Sequence, residues 1–147
     1  METIRTTGDV LDLSHQEISS LPWEVSRGSF KTVILSNNAL ASVPGVLGKL
    51  FSLKKVDLSN NVVVSFEEGC NASSSLSELI LKNNKLSGFI SPVKCWEYSL
   101  QSLNLSHNRL SELPPSLSEL KALERLNVSH NILKAASSRI LATISKL

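Results

Sequence analysis

The side chains with chemical potential in this sequence are few, and their spacing argues against catalysis. Asp12, Ser14 and His15 supply the types of an orienter, a nucleophile and a base. They sit within one short apolar-alternating segment, where neighbours point to opposite faces, so a relay is not built. His107 and His130 stand 23 residues apart in identical Ser-His-Asn phrases. Imidazole is a common metal ligand, but no third ligand of a suitable type accompanies them, and a solvated pair is expected. Cys70 and Cys95 have no CxxC spacing and are too few for a disulfide-stapled scaffold, so both read as buried or half-buried free thiols. No glycine-rich phosphate loop occurs. The expectation is a chain that is not an enzyme and holds no metal or cofactor.

The histidines share a register because the whole chain is periodic. Phe30, Leu53, Leu76, Leu100 and Leu123 are separated by 23, 23, 24 and 23 residues, and each opens one phrase: FKTVILSNNAL, LKKVDLSNNVV, LSELILKNNKL, LQSLNLSHNRL and LERLNVSHNIL. An earlier phrase, GDVLDLSHQEI, starts at Gly8. A fixed period of this size points to stacked units that each bury one face against the next.

Within a phrase, apolar residues alternate, as Leu103 and Leu105 do around Asn104, so a short strand has one buried and one wet face. Six such strands are expected to stack in parallel. The chain must then turn, and its backbone groups need partners inside the core. Asn38, Asn61, Asn84, Asn108 and Asn131 meet that need, because a side-chain amide both donates and accepts; each is expected to bond its own turn and the next rung, forming a ladder. Gln16 stands at this position in the first unit. The segments SSLPWEVSRGS, ASVPGVLGKLFS and SELPPSLSELKA read as a turn followed by a short helix or helical turn. VSFEEGCNASSS lacks the proline, and SGFISPVKCWEYS carries Trp96 and Tyr98, so these two outer segments are expected to differ. Ile140, Ile144 and Leu147 share one helical face, which predicts a C-terminal capping helix over 137–147. Before the first unit the sequence offers only Met1 to Thr7, read as a frayed end or the cut edge of a fragment.

The six phrases of form LxxLxLxxNxL resemble the leucine-rich repeat family over roughly residues 8–136. The Leu-Pro units look like the intracellular, Ras-binding-type repeats, whereas NNKLSGFIS from Asn83 looks like the plant-type phrase, with Ser91 in its proline position. The resemblance implies an α/β fold in a single domain, 1–147. It would be a right-handed, curved solenoid with a parallel β-sheet on the concave face and short helices or turns on the convex face. It also implies a protein partner bound on the concave face.

Alternation assigns the wet face. Its candidate binding residues are Ile34, Lys55, Asp57, Glu78, Ile80, Lys82, Asn104, His107, Arg125 and His130, with Ile34 and Ile80 as apolar anchors in a polar surface. Fifteen Lys and Arg against thirteen Asp and Glu leave a charge of +2, which gives no support to nucleic acid as a partner. No apolar leader and no stretch of ~20 apolar residues is visible, so the expectation is a cytoplasmic monomer that neither crosses nor binds a membrane. The sequons at Asn71, Asn104 and Asn127 are expected to stay bare, the last two being by-products of the repeat phrase. The alternative reading is a purely structural C-terminal segment of a longer repeat protein.

Overall fold

A computed structural model of the protein describes residues 5–70, 75–88, 96–113 and 115–134. In chain order the strands are β1 (Arg5–Thr7), β2 (Val10–Asp12), β3 (Thr32–Ile34), β4 (Ser42–Val43), β5 (Lys55–Asp57), β6 (Ser65–Phe66), β7 (Glu78–Ile80), β8 (Ser102–Asn104) and β9 (Arg125–Asn127). The six phrases supply β2, β3, β5, β7, β8 and β9, which pair in parallel with Leu11, Val33, Val56, Leu79, Leu103 and Leu126 in one register. All but Leu126 are buried.

The strands are only three residues long because the next residues leave the pleat to turn. Backbone pairing continues past the ladder, from the Leu35 amide to the Asp57 carbonyl at 2.7 Å and from the Asn37 amide to the Ser59 carbonyl at 3.0 Å. Each unit thus stacks leucine columns: Leu58, Leu81 and Leu105 form one, and Val63, Leu86 and Leu110 another, all fully buried. A buried column of this kind supplies the main driving force, at roughly 1.5–3 kcal/mol for each large apolar side chain.

The outer segments are single 3-10 turns, Trp23–Arg27, Gly45–Lys49 and Pro115–Glu119. Pro22 and Pro44, at φ −68° and −65°, open the first two; a proline fits there because its locked φ suits the turn and its missing N–H is no loss. Val25, Leu47 and Leu117 point inward from them. In the third unit, which lacks the proline, β6 instead pairs with β4. The Glu67 carboxylate fastens this junction, accepting from the Ser42 hydroxyl at 2.8 Å and the Gly45 amide at 2.7 Å. A Cβ on Gly45 would come within 2.5 Å of the Glu68 carbonyl oxygen, so only glycine fits. In the fourth unit Trp96 is buried and Tyr98 exposed.

The N-terminal edge differs from the sequence expectation. Arg5–Thr7 is an antiparallel partner of β2, with Thr6 opposite Leu11 and Gly8 turning the chain at φ +61°. The first rung therefore carries a covered edge, which removes an exposed template for pairing with other chains. The expected helix over 137–147, Cys95 and the sequon at Asn71 lie outside the described residues. No helix among the described residues is long and apolar enough to cross a membrane.

Candidate binding surface

The wet face is built in rows, one residue from each rung. Lys55 and Glu78 stand opposite each other on β5 and β7 and form an ion pair at 3.6 Å, while Arg125 reaches Glu124 at 3.8 Å. The next row holds Asp12, Ile34, Asp57, Ile80, Asn104 and Asn127. Asp57 Oδ1 accepts from both the amide (2.9 Å) and the hydroxyl (2.7 Å) of Ser59, and Asn104 Oδ1 does the same for Ser106 at 3.0 and 2.6 Å. These two predicted binding residues therefore also hold their own turns. Asp12 binds Ser14 and Asn127 binds Ser129 in the same way. At Asp12 the carboxylate bonds the hydroxyl directly, with no imidazole between them. Ile34 and Ile80 are half-buried rather than fully exposed, each flanked by polar neighbours on the adjoining rungs.

Behind this face the amide ladder is present, and its direction is backward. Asn84 Nδ2 donates to the carbonyls of Leu81 in its own turn and Leu58 in the preceding rung, both at 3.0 Å, and its Oδ1 accepts from the Val63 amide of that rung at 2.9 Å. Asn61 repeats the pattern with Leu58, Leu35 and Leu40, Asn108 with Leu105, Leu81 and Leu86, and Asn131 with Val128, Leu105 and Leu110. Asn38 accepts from two amides, Gln16 and Ile18. The expectation of bonding to the following rung is thus corrected. In the first unit Gln16 Nε2 donates to the Ser14 carbonyl of its own turn.

The left-handed backbone of one column was not anticipated. His15, Asn37, Asn60, Asn83, His107 and His130, each just before the ladder position, all lie at φ between 54° and 58°. Asn and His are among the non-glycine types enriched in this left-handed region, and β-branched residues are outliers there. The recurring Asn-Asn and His-Asn pairs were the available signal. Replacing Asn83 by Gly is expected to leave thermal stability nearly unchanged, whereas Asn83→Val costs roughly 1–3 kcal/mol. A valine variant that melts with the parent would show that this turn is not left-handed.

His107 and His130 stack face to face, with centroids 4.1 Å apart and planes 12° apart. Lone pairs in parallel ring planes do not converge on one point, so the pair is ill-shaped to chelate a metal. Partial loss of water around the ring, with the neighbouring His130 and Lys82 charges, holds His107 below the ordinary imidazole value. At the same sheet end a groove runs past Asn60, Asn83, Lys85, His107, Arg109 and His130. Lys85 and Arg109 were missed in the sequence because strand alternation stops before them. The outer side carries a different groove beside Trp23, Val46 and Phe51. Phe51 is 76% and Trp23 59% exposed, and the Arg27 guanidinium lies 4.4 Å from the Trp23 ring centroid. Cys70 is a buried free thiol whose pKa is pushed up to about 11 by burial and by the Glu67 charge, so it is a poor nucleophile at neutral pH.

A family model for leucine-rich repeats (two copies) matches residues 98–139. Over 49 residues, 33% of this chain, the sequence is 39% identical to a probable serine/threonine-protein kinase of Dictyostelium discoideum, and the match spans 4% of that protein. The fold is similar to that of a leucine-rich repeat protein from Bacteroides thetaiotaomicron, at TM-score 0.77 and 23% identity, covering 86% of this chain and 17% of that one. It is also similar to an internalin from Listeria monocytogenes, at TM-score 0.75 and 20% identity, covering 92% and 38%. The chain thus spans less than half the length of each of these proteins. With its six phrases folded into parallel rungs and an asparagine ladder behind them, the chain has the fold of the leucine-rich repeat solenoids, and its residues 98–139 match the leucine-rich repeat model.

Proposed function

We propose that the chain is a non-enzymatic protein-recognition domain that takes its partner on the strand face, read as the concave side. The observation that carries this reading is a preformed row of side chains held on a rigid sheet, where Lys82 stands exposed beside half-buried Ile80 and forms no ion pair among the described residues. A surface fixed before binding loses little conformational freedom on association, and repeat stacks offer such surfaces over several rungs. The ten residues from Ile34 to His130 named from the sequence remain its candidate contacts.

The exposed Trp23 and Phe51 favour a second reading, in which the outer groove is the docking surface. Photo-crosslinking groups placed singly at Lys55, Lys82, Phe51 and Glu119 in native cells separate the two. Protein adducts are expected from the strand-face positions, and Ile80→Ser with Lys82→Glu should weaken the captured interaction by ~2 kcal/mol or more while Glu112→Lys with Glu119→Lys leaves it intact. Adducts from Phe51 alone would transfer the function to the outer groove.

A further inference from the structure

The charges on the repeat face are unevenly matched. Lys31, Lys55 and Arg125 each have a carboxylate partner. By contrast, Lys82, Lys85 and Arg109 form no ion pair among the described residues, and all three are exposed. They gather at one corner, where the fourth and fifth rungs enter their left-handed turns, beside the stacked imidazoles of His107 and His130. The groove there is lined by amides and cations, with no carboxylate among its described residues. Asn83 Nδ2 bonds Asn60 Oδ1 at 2.7 Å, which leaves its second N–H available.

We infer that this corner, from Lys82 and Lys85 across Arg109 to His107 and His130, is a docking site for a short acidic segment of a partner protein. The inference rests on the protein-recognition reading of the same face and names the chemistry of the partner. Guanidinium, ammonium and amide N–H groups are all donors suited to carboxylates. The patch covers three rungs, roughly 10 Å, which is the reach of about three extended residues. A longer polyanion fits less well. Single-stranded nucleic acid gains affinity by stacking bases on aromatic platforms; the large ones, Trp23 and Phe51, lie at the outer groove, and the imidazoles of His107 and His130 here already stack on each other. Glu78, in the outward row of the sheet, would oppose a continuing phosphate backbone.

Protonation adds to the site. Lys82, Lys85, Arg109 and His130 are the charged and titratable groups facing His107 among the described residues. A bound carboxylate would favour imidazolium in that cationic setting. Affinity should therefore rise as pH falls from about 7.5 to 5.5, a window in which Asp and Glu, with reference values near 4, remain ionised.

The test uses the full chain and a fluorescent decapeptide containing five Glu, read by anisotropy against its Gln counterpart and a single-stranded RNA decamer. The Glu peptide is expected to bind at low salt, at least tenfold more weakly to Lys85→Glu with Arg109→Glu, and unchanged to Lys49→Glu, which lies at the outer groove. His107→Gln with His130→Gln should remove the gain in affinity between pH 7.5 and pH 5.5. Thermal melts check that each exposed-site variant is folded. Equal binding of the Glu and Gln peptides, indifference to the double reversal, or tighter and reversal-sensitive binding of RNA alone would overturn the assignment. Crosslinks confined to Phe51 together with Glu-peptide binding here would instead fail the strand-face reading and leave the carboxylate chemistry standing.

Discussion

Asn84→Ala is expected to destabilise the protein by roughly 3 kcal/mol, lowering Tm by about 10 °C for a chain of this size. The loss is unevenly distributed over its partners. The Leu58 carbonyl also accepts from Asn61, and the Leu81 carbonyl from Asn108, so each keeps one amide donor. The Val63 amide has Asn84 Oδ1 as its side-chain acceptor and lies in a fully buried residue; its orphaning dominates the cost. Asn84→Asp separates the contributions. It keeps an acceptor for Val63 but points a carboxylate at the two carbonyls that the amide N–H groups had satisfied. The folded state then disfavours ionisation and raises the carboxyl pKa above its unfolded value. The resulting deficit is full above the folded pKa and fades as pH falls towards about 4, whereas the alanine deficit stays nearly flat. Calorimetry of both variants between pH 4 and 8 checks this, and coincident pH profiles would contradict the inward-amide geometry.

The ladder was legible because a buried turn leaves backbone groups that only a side chain with both donor and acceptor can satisfy. The leucine columns were legible for a related reason: alternation and period together leave one way to bury Leu58, Leu81 and Leu105. Other features were hidden by the same regularity. Asp57 and Asn104 look like free surface polars in a strand pattern, yet each clasps a serine two residues on. Asn60, Asn83 and His107 look like ordinary repeat filling, and their left-handed backbone follows from the turn that the ladder anchors. Lys85 and Arg109 fall just past the strand, where alternation no longer says which way a side chain faces. The Arg5–Thr7 strand lies outside the period and was lost for that reason, although Thr-Thr before Gly-Asp is a hairpin signal.

Leu81→Ala tests the alternation at its most buried point. Leu81 is fully enclosed between the columns of the adjoining rungs, so truncation removes three heavy atoms from close packing and leaves a void that the stack cannot easily collapse. The expected cost is roughly 2–5 kcal/mol, whereas Ile80→Ala, one residue away on the half-buried wet face, should cost about 1 kcal/mol or less. The carbonyl of Leu81 also receives the amides of Asn84 and Asn108. A shift of the backbone into the void would therefore loosen ladder bonds on both sides of the fourth rung. In a repeat stack each unit touches only its neighbours, and stability is a sum of unit and interface contributions. Damage at a central interface uncouples the halves, so the Leu81→Ala melt should broaden or split. Amide hydrogen exchange should then lose protection first around Val63 and Leu86, while Leu13 keeps more of it. Equal destabilisation by Ile80→Ala and Leu81→Ala would reverse the assignment of the two faces and remove the basis for placing Lys82 and Ile80 on a binding surface.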